Sequence, residues 1–365
     1  MKKKLIIFMP SIEGGGVEKN LFIVANYLAK KINKISLITA SKKYKKKFSK
    51  SIDFITPKSY MWDGWSRKTK YVICLLLLLK EIIKNKKILV FAFQANIYCI
   101  FICKLFGIKI ITRSNSAPSG WSKNIFKRFL FKFFLNRADK VMANSIDFIK
   151  SLKSEFNVTA TCIYNPLNKK EIIKKSKIKS KKVFKKKNTI KILNIGRFVD
   201  QKDQITFLKA LNIINNKLNY EAVLIGKGKD KTMLKKYIKK NKLGKKIKLI
   251  NFAENPYPIL KETDILVLSS RYEGLPNVLL EAQVLKKFII SSNCPTGPRE
   301  ILLNGKGGLL FKVGDYKDLA NKILYYKNNK KNLSKLINFS YKKLYRFDYD
   351  LNLKKYLKLV QQSLV

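Results

Sequence analysis

The sequence predicts an α/β protein of two successive domains, each a doubly wound parallel sheet covered by helices, with a cleft between them. Short β-branched runs alternate with amphipathic stretches, and this alternation is typical of parallel strands joined by helices. A length of 365 residues exceeds what one ordinary core accommodates, so two cores are expected. A Lys-rich segment over 171–189 interrupts the alternation, which then restarts, and we place the domain boundary there.

The alternation also predicts the individual elements. In the first half the predicted strands are LIIFM, ISLIT, ILVFAF, IKIIT and KVMANS, with helices over 17–31, 95–106, 121–136 and 146–155. In the second half the predicted strands, each followed by a helical pattern, are IKILNIG (190–196), EAVLIG (221–226), KIKLINF (246–252), DILVLSS (264–270), KFIISS (287–292) and GGLLF (307–311). The resulting division is a first domain at 1–170, a linker at 171–189, a second domain at 190–345 and a terminal helical segment at 346–365.

Composition excludes several classes of function. The chain has no histidine, which removes Ser-His-Asp and Cys-His nucleophile systems and every His-containing zinc site. Its five cysteines form no Cys-x-x-Cys pair, which favours core packing over metal binding and fits a reducing, cytoplasmic compartment. The 78 basic and 23 acidic side chains give a net charge of +55, which points to polyanionic partners such as nucleic acid, an anionic membrane or phosphorylated substrates. A compositional drift toward Lys on solvated faces would give the same charge.

We expect a cytoplasmic protein, either soluble or peripheral on the inner face of the membrane. The apolar stretch of MKKKLIIFMP ends at Pro10 and is too short for a signal peptide. The run YVICLLLLL is closed by Lys80 and Glu81, so it is too short to span a bilayer.

The segment 121–137, WSKNIFKRFLFKFFLNR, predicts a basic amphipathic helix. One helical face carries the apolar side chains of Phe126, Phe129, Leu130, Phe133 and Phe134. The lysines, Lys123, Lys127 and Lys132, lie off that face. Such helices lie on anionic membranes, although a buried helix of the domain fits the pattern equally well.

Glycine-containing turns follow three predicted strands, at the sheet edge where α/β proteins bind ligands. Gly15 and Gly16, in IEGGGVE, let a ligand approach the backbone or simply form a tight turn. In IGRFVDQKD, Gly196 precedes Arg197 and Lys202, whose planar fork and compact ammonium suit a diphosphate without a metal, unless the pair is chance in so basic a chain. IGKGKD adds a further strand-to-helix turn, at Gly226.

The third main glycine-containing turn lies in SRYEGLPNVLLEA, after the predicted strand DILVLSS, where two carboxylates bracket a Gly-Leu-Pro elbow. Pro276 suits a first helical position, and Glu281 lies about 7 Å further along the helix axis. A nucleotide fits this offset, with phosphate at the helix N-terminus and ribose hydroxyls on Glu281. Glu273, in the loop, then faces whatever the phosphate carries; the alternative is a pair of surface glutamates. The following turn, SSNCPTGPREIL, carries Arg299 and is placed to close over a sugar.

At these residues the chain resembles the family 4 glycosyltransferases of the GT-B fold. The matching elements are GGGVE, the Gly-Arg-x4-Lys of IGRFVDQKD, the Glu-x7-Glu of EGLPNVLLEA and TGPREIL, in family order over nearly the whole chain. The resemblance implies retention of anomeric configuration, no metal, and a terminal helix that crosses back onto the first domain. It places Arg197 and Lys202 on the donor diphosphate, Glu273 on the donor sugar, Glu281 on the ribose, and Gly15 and Gly16 near phosphate and acceptor.

One departure from the family concerns the first domain. Many relatives carry a catalytic-site histidine near the segment that here reads ITRSNSAPSGW, and this chain offers Arg113, Ser114 and Asn115 instead. Loss of activity is one interpretation, and orientation of donor or acceptor by Arg113 or Asn115 is the other. The predicted catalytic residues are thus Arg197, Lys202 and Glu273; the donor-binding residues are Gly15, Gly16, Gly196, Gly226, Gly274, Leu275, Pro276, Asn277 and Glu281; the acceptor or sugar side has Arg113, Asn115 and Arg299.

The function expected is transfer of a sugar from a nucleoside diphosphate donor to a glycan or lipid-linked acceptor in surface polysaccharide or glycoconjugate synthesis, with no cofactor. CPTGPRE resembles relatives that use UDP-linked sugars, often N-acetylhexosamines. Two alternatives stay open: a sugar-nucleotide-binding protein without catalysis and, on charge alone, a nucleic-acid-binding protein, for which no recognition module is visible. Asp348-Tyr349-Asp350 spells the metal motif of a different glycosyltransferase fold, but it precedes the terminal helix instead of following a core strand.

Overall fold

The chain forms two compact units in the computed structural model, which describes residues 3–13, 15–58, 64–115, 121, 124–180 and 182–364. The first unit comprises Met1–Pro166 together with Tyr349–Val365, and the second comprises Leu167–Asp348. In chain order the elements are β1 (Lys4–Phe8), α1 (Gly16–Ala29), β2 (Ile35–Ile38), β3 (Ile52–Ile55), α2 (Arg67–Lys84), β4 (Ile88–Ala92), α3 (Asn96–Leu105), β5 (Lys109–Ser114), α4 (Ile125–Leu135), β6 (Lys140–Ala143), α5 (Ile146–Phe156), β7 (Thr161–Cys162), α6 (Lys169–Ser176), β8 (Ile190–Ile195), α7 (Gln204–Ile213), β9 (Tyr220–Ile225), α8 (Lys231–Lys240), β10 (Ile247–Ile250), α9 (Tyr257–Glu262), β11 (Ile265–Leu268), α10 (Asn277–Val284), β12 (Phe288–Ser292), α11 (Pro298–Ile301), β13 (Leu309–Phe311), α12 (Tyr316–Lys342) and α13 (Tyr349–Leu364).

The first unit is built on a seven-stranded sheet in the order β3-β2-β1-β4-β5-β6-β7, in which every described pair is parallel. The interior strand β1 reads LIIF after its first residue and is buried on both faces, as continuous apolar runs in parallel sheets are. Helices α1 and α13 pack on one face, and α2, α3 and α5 cover the other together with Phe131, Phe134 and Leu135 of α4.

The second unit has a six-stranded parallel sheet in the order β10-β9-β8-β11-β12-β13. Its largest cluster of buried side chains joins one face of the sheet to α7, α8 and α12, while α10 contacts β11 and β12 directly. From β8 the chain adds β9 and β10 on one side of the sheet and then β11, β12 and β13 on the other, so the strand order reverses between β8 and β11. Ligands of doubly wound sheets bind at the carboxyl ends of the strands beside such a reversal.

The segment 171–189 differs from the linker that its lysine content predicts. Helix α6 begins it and packs on α9 and α10 of the second unit. Phe184 is 1% exposed, and the backbone N–H groups of Lys185 and Lys186 each donate to Glu221 Oε2 over 2.8 Å. One apolar anchor and one buried carboxylate therefore attach a stretch whose composition alone indicates little to bury.

Two short strands, β3 and β7, are absent from the predicted pattern. Both lie at the edges of the first sheet, where pairing on a single side does not require a long apolar run. Helix α4 packs one side on the core, through buried Leu135 and partly buried Phe131 and Phe134, and exposes its other side, so the helix predicted within 121–137 is a surface helix and not a fully buried one. None of the helices in the described ranges combines the length and apolar character needed to cross a bilayer.

Candidate active site in the second unit

Loops after β8, β11 and β12 meet at the carboxyl edge of the second sheet. The loop after β8 runs through a 3-10 turn at Asp200–Lys202. Gln201 ties it to the loop after β11, because its backbone carbonyl accepts from the N–H of Arg271 over 2.8 Å and its side-chain amide donates to the carbonyl of Tyr272 over 3.0 Å. The two loops are thus held in one arrangement by the protein itself.

Lys202 and Glu273, which are 71 residues apart in sequence, form an ion pair at this edge. Lys202 Nζ lies 2.5 Å from Glu273 Oε1, with side-chain exposures of 18% and 7%. Ser270 Oγ donates to the same Oε1 over 2.6 Å, so Oε2 has no protein donor among the residues described. Ser269 Oγ donates to the backbone carbonyl of Lys202 over 2.9 Å. Burial makes such a pair costly to break, because either charge alone would be poorly solvated.

Arg197 is an exposed cation of the same edge. It directly follows Gly196 at the end of β8, its side chain lies in solvent, and its guanidinium donates to Gln201 Oε1 over 3.3 Å. The carbonyl of Arg197 accepts from Gln204 Nε2 over 2.9 Å, which fixes the backbone while the guanidinium remains accessible. An exposed planar fork next to a half-buried ammonium is an arrangement that binds phosphates.

The elbow before α10 places Glu281 one turn into that helix. Helix α10 begins at Asn277 with Pro276 as its N-cap, one residue later than the sequence predicts, because the ψ of Pro276 is 103° and extended. Glu281 is 7% exposed, and Tyr257 of α9 donates to its Oε1 over 3.2 Å. Gly274, Leu275 and Pro276 are buried in the turn.

The turn after β12 packs directly on this elbow. Thr296 Oγ1 donates to the carbonyl of Glu273 over 2.6 Å. Gly297 has φ +84°, and a Cβ there would lie 2.3 Å from the carbonyl oxygen of Gly274, so only glycine fits both conformation and space. Arg299, on the next helical turn, is exposed.

Gly226 has a packing role at the same edge. A Cβ on Gly226 would lie 1.9 Å from the carbonyl oxygen of Gly196, so this glycine allows the loops after β8 and β9 to approach. Gly196 itself meets Lys202 at ordinary contact distances.

Sequence reasoning missed four side chains that hold the site: Gln201, Tyr257, Ser270 and Thr296. Both Ser270 and Thr296 carried a signal, since Ser270 ends the predicted strand DILVLSS and Thr296 begins TGPREIL after the next predicted strand. Tyr257 had none. Cys294, also at this edge, is 1% exposed, and burial, with the Glu273 carboxylate nearby, raises the pKa of its thiol to about 12. It is therefore a protonated packing residue. Within the described ranges, no three His, Cys, Asp or Glu side chains come together as a metal site would require.

The predicted residues of the first unit lie in that unit and are described within it. Gly15 is the N-cap of α1 with an extended backbone, and Gly16 is its first residue. A Cβ on Gly15 would lie 2.9 Å from Glu18 Oε2, so the buried Glu18 side chain fills the space next to this turn. Gly14 of the same loop lies outside the described residues.

Arg113, at the end of β5, is fully buried. Its Nε donates to Tyr356 Oη of α13 over 3.1 Å, and Nη2 donates to Asn165 Oδ1 over 2.8 Å. Nη1 donates to Asn115, and the Phe93 ring centroid lies 5.3 Å from the guanidinium carbon. All three nitrogens of this cation are thus engaged by neutral oxygens. Residues 116–120, the rest of the segment where relatives carry a histidine, lie outside the described residues.

Comparison with known proteins finds similar glycosyltransferases. Residues 175–343 match the family model described as glycosyl transferases group 1. The chain is 28% identical over 197 residues to an uncharacterised glycosyltransferase of Methanocaldococcus jannaschii. The matched region is 52% of this chain and 48% of that protein. It is 25% identical over 378 residues, 98% of each protein, to GalNAc-alpha-(1->4)-GalNAc-alpha-(1->3)-diNAcBac-PP-undecaprenol alpha-1,4-N-acetyl-D-galactosaminyltransferase of Campylobacter jejuni.

Solved structures share the same architecture over the full length. A glycosyltransferase from Rickettsia africae superposes with a TM-score of 0.78 at 19% identity, covering 100% of this chain and 99% of the other. HepE from Anabaena, in complex with UDP and glucose, superposes with a TM-score of 0.78 at 15% identity, covering 98% and 99%.

The two parallel-sheet units have the GT-B fold of these solved structures. Residues 175–343, within the second unit, match the glycosyl transferases group 1 model.

Proposed function

We propose that the chain is a retaining, family 4 glycosyltransferase that moves a sugar from a UDP-linked donor to a lipid-linked or glycan acceptor. The observation that carries this proposal is the clustering at one strand edge of Arg197, the Lys202–Glu273 pair and Glu281. The Campylobacter relative, which matches over 98% of each chain, is named for action on an undecaprenol-linked glycan, and this supports the acceptor class. A UDP complex of a protein with the same fold supports the choice of base.

In the proposed donor complex, Arg197 and Lys202 hold the diphosphate. The N-terminus of α10 adds backbone N–H groups and a partial positive charge to the same region. Glu281 accepts from the ribose hydroxyls, with Tyr257 fixing its orientation. Glu273 uses Oε1 for Lys202 and Ser270, which leaves Oε2 to accept a hydroxyl or amide of the donor sugar.

The proposed reaction is attack from the face that the leaving group occupies. The bond between the anomeric carbon and the phosphate oxygen breaks, and the acceptor hydroxyl oxygen forms its bond on the same face. The hydroxyl proton passes to the departing phosphate oxygen, so UDP leaves with the proton and the anomeric configuration is retained. Arg197 and Lys202 stabilise the negative charge that develops on the phosphate, the role that a metal ion has in other enzymes, and we therefore propose that no metal is required.

Arg299 is placed in this proposal on the sugar side, since the turn that carries it packs on the elbow. Gly15 and Gly16 retain the role of a loop near phosphate and acceptor. For Arg113 we propose a structural role, because its donors are already engaged by neutral partners. Asn115, which is half-buried and bonded to Phe93, belongs to the same cluster.

The second candidate function is binding of a sugar nucleotide without transfer. It is favoured by the absence of any histidine in the chain, since the matching segment of many relatives carries one at the reaction site.

A transfer assay with a panel of UDP-sugars separates these candidates. The chain is incubated, in the presence of a chelator, with UDP-N-acetylgalactosamine, UDP-N-acetylglucosamine, UDP-galactose or UDP-glucose and an undecaprenyl-diphosphate-linked glycan. We expect UDP release together with an α-linked product, read by nuclear magnetic resonance of the anomeric proton. A β-linked product would reject retention, UDP binding without product for every donor would favour the second candidate, and strict dependence on added Mg²⁺ would reject metal independence.

A further inference from the structure

Three neighbouring helices of the first unit, α2, α3 and α4, expose large apolar side chains to solvent. Ten of the twenty exposed large hydrophobic residues in the described part of the chain lie on them: Val72, Leu76 and Ile83 of α2, Tyr98, Phe101 and Leu105 of α3, and Ile125, Phe126, Phe129 and Phe133 of α4. Helix α3 contacts both α2 and α4. We call these ten residues and their three helices the apolar face.

The exposed residues recur at helical spacing, so each helix presents an apolar stripe outward in addition to the one it buries. In α2 the buried stripe is Cys74, Leu78 and Ile82. The exposed one runs through Val72 and Leu76 to Ile83, at offsets of about one and three turns. Helix α4 goes furthest, since Phe126 is 68% exposed and Phe129 59% exposed. A helix on the surface of a globular protein normally has a polar outer face.

The charge of the three helices is one-sided. They contain nine basic residues and one acidic residue, Glu81. Glu81 is already neutralised, because Lys4 and Lys84 lie 3.1 and 3.5 Å from its carboxylate. Among the basic residues are Lys80, exposed on α2, and Lys127, exposed on α4. Three other basic residues, Arg67, Lys104 and Arg128, pair with Glu13, Asp139 and Glu155 outside these helices. Four exposed lysines make no ion pair in the described part of the chain and border the apolar side chains: Lys68, Lys80, Lys127 and Lys132.

The exposed apolar residues of the second unit differ from this arrangement. They are distributed over α6, α8, α12 and the segments between and after the helices: Ile173, Ile178, Met233, Phe252, Tyr325, Phe339 and Tyr345. Single exposed apolar residues are ordinary on protein surfaces, whereas a contiguous patch across adjacent elements marks an interaction site.

We propose that the apolar face docks on a bilayer that contains anionic lipids. Apolar side chains on a basic background match the two layers of such a surface, with the phenylalanines at the boundary of the acyl chains and the lysines among the headgroup phosphates. A protein partner would be expected to place carboxylates opposite the lysines, and a second copy of this basic chain would bring like charges together. Charge complementarity thus favours the lipid surface.

Docking of this kind deepens the proposed function, since a lipid-linked acceptor is reached from the membrane surface, and to that extent it rests on the proposed function. Its test is independent of the donor site. The full chain is sedimented with vesicles of phosphatidylcholine, with and without phosphatidylglycerol, at low and high salt and without any nucleotide. We expect binding to the anionic vesicles that high salt weakens.

Two double variants separate the apolar and the ionic contributions. F126S/F129S should weaken partitioning into anionic vesicles by about tenfold or more, because two exposed phenylalanines no longer enter the interface. K127E/K132E should weaken binding to anionic vesicles and leave any weak binding to neutral vesicles unchanged. The matched control is Tyr325→Ser, a 50% exposed aromatic residue of the second unit, which should bind as the wild-type chain does.

Failure of this proposal is distinguishable from failure of the proposed function. The F126S/F129S variant should keep the wild-type circular dichroism spectrum and the wild-type rate with a water-soluble acceptor analogue. Wild-type chain that does not sediment with anionic vesicles, or a variant that sediments equally, would overturn the docking proposal. Sedimentation velocity adds one further outcome: a wild-type dimer that F126S/F129S dissociates, with no vesicle binding, would assign the face to a second copy and overturn it as well.

Discussion

Each unit has an arginine at the carboxyl end of a strand near the middle of its sheet. One of these arginines is fully buried and the other is exposed to solvent. Arg113 lies near the end of β5 in the first unit, is fully buried, and donates to Tyr356, Asn115 and Asn165. Arg197 follows β8 in the second unit, lies in solvent, and makes one long hydrogen bond to its neighbour Gln201. The chain thus carries one strand-end arginine whose donors are satisfied and one whose donors are available.

The difference shows why position at a strand end is not sufficient evidence of a binding role. A buried guanidinium whose donors are all used must give up protein hydrogen bonds before it can take a ligand, and each such bond is worth about 1 kcal/mol or more. An exposed guanidinium gives up only water. We therefore expect substitution of Arg113 to change the free energy of unfolding and substitution of Arg197 to change the rate of the reaction.

The largest expected effect is on the stability of the first unit. Arg113→Ala should lower its free energy of unfolding by about 3 kcal/mol, because Tyr356, Asn165 and Asn115 lose their donor and a cavity replaces the side chain. Urea denaturation measures this change. Lys109→Ala, at an exposed position of the same strand, should change it by less than about 0.5 kcal/mol. Unchanged stability with loss of transfer would instead place Arg113 among the reacting groups.

The second effect is on turnover. Arg197→Ala should lower kcat by about 10²-fold, the usual cost of removing one preorganised contact to a developing negative charge. Its free energy of unfolding should remain near the wild-type value, since the side chain is exposed. Lys235→Ala, an exposed cation on α8, is the control for loss of one charge. Steady-state kinetics with saturating donor would contradict the assigned role if the Arg197 variant turned over normally.

A smaller effect is expected on donor affinity. Glu281→Gln should weaken UDP binding by about tenfold and Tyr257→Phe by about threefold, because the first loses a charged acceptor and the second only the bond that orients it. Isothermal titration calorimetry with UDP and with 2′-deoxy-UDP gives the comparison. The penalty of Glu281→Gln should shrink for the deoxy nucleotide. Equal penalties for both would mean that Glu281 does not contact that hydroxyl.

The smallest effect is a pH dependence in the second unit. There Glu221 is, like Arg113 in the first unit, a buried charge whose hydrogen bonds are made within the protein. Burial alone would raise the pKa of Glu221, but the N–H groups of Lys186 and Lys185 and the ammonium of Lys248 outweigh it and lower the pKa. This carboxylate therefore stabilises the fold above its unfolded pKa, and the contribution is lost as the pH falls through the folded value. Glu221→Gln should flatten the decline of stability in acid. An unchanged slope would contradict the anchor.

The sequence predicts the fold further than it predicts the state of each side chain. Alternating β-branched and amphipathic runs predict both parallel sheets, and both are confirmed. Strands of a parallel sheet are covered on both faces, so their sequences read as continuous apolar runs. The strands β3 and β7 and the anchoring of 171–189 were missed. Each depends on contacts with residues distant in sequence, such as Phe184 and Glu221 in the last case.

The same limit applies to the site. Strand ends predict that Lys202 and Glu273 lie at one sheet edge, since both follow predicted parallel strands, but their ion pair spans 71 residues and no spacing rule predicts it. Nothing in ITRSNSAPSGW distinguishes a buried arginine from an exposed one. The partners that decide this, Tyr356 and Asn165, lie 243 and 52 residues away.

The most direct test is a crystal structure of the chain with UDP, grown in the presence of a chelator. The central claim is that the available cations of the second unit hold the diphosphate. It predicts a β-phosphate oxygen within about 3 Å of the Arg197 guanidinium and of Lys202 Nζ, with the ribose on Glu281. A diphosphate bound elsewhere, with Arg197 still in solvent, would contradict it.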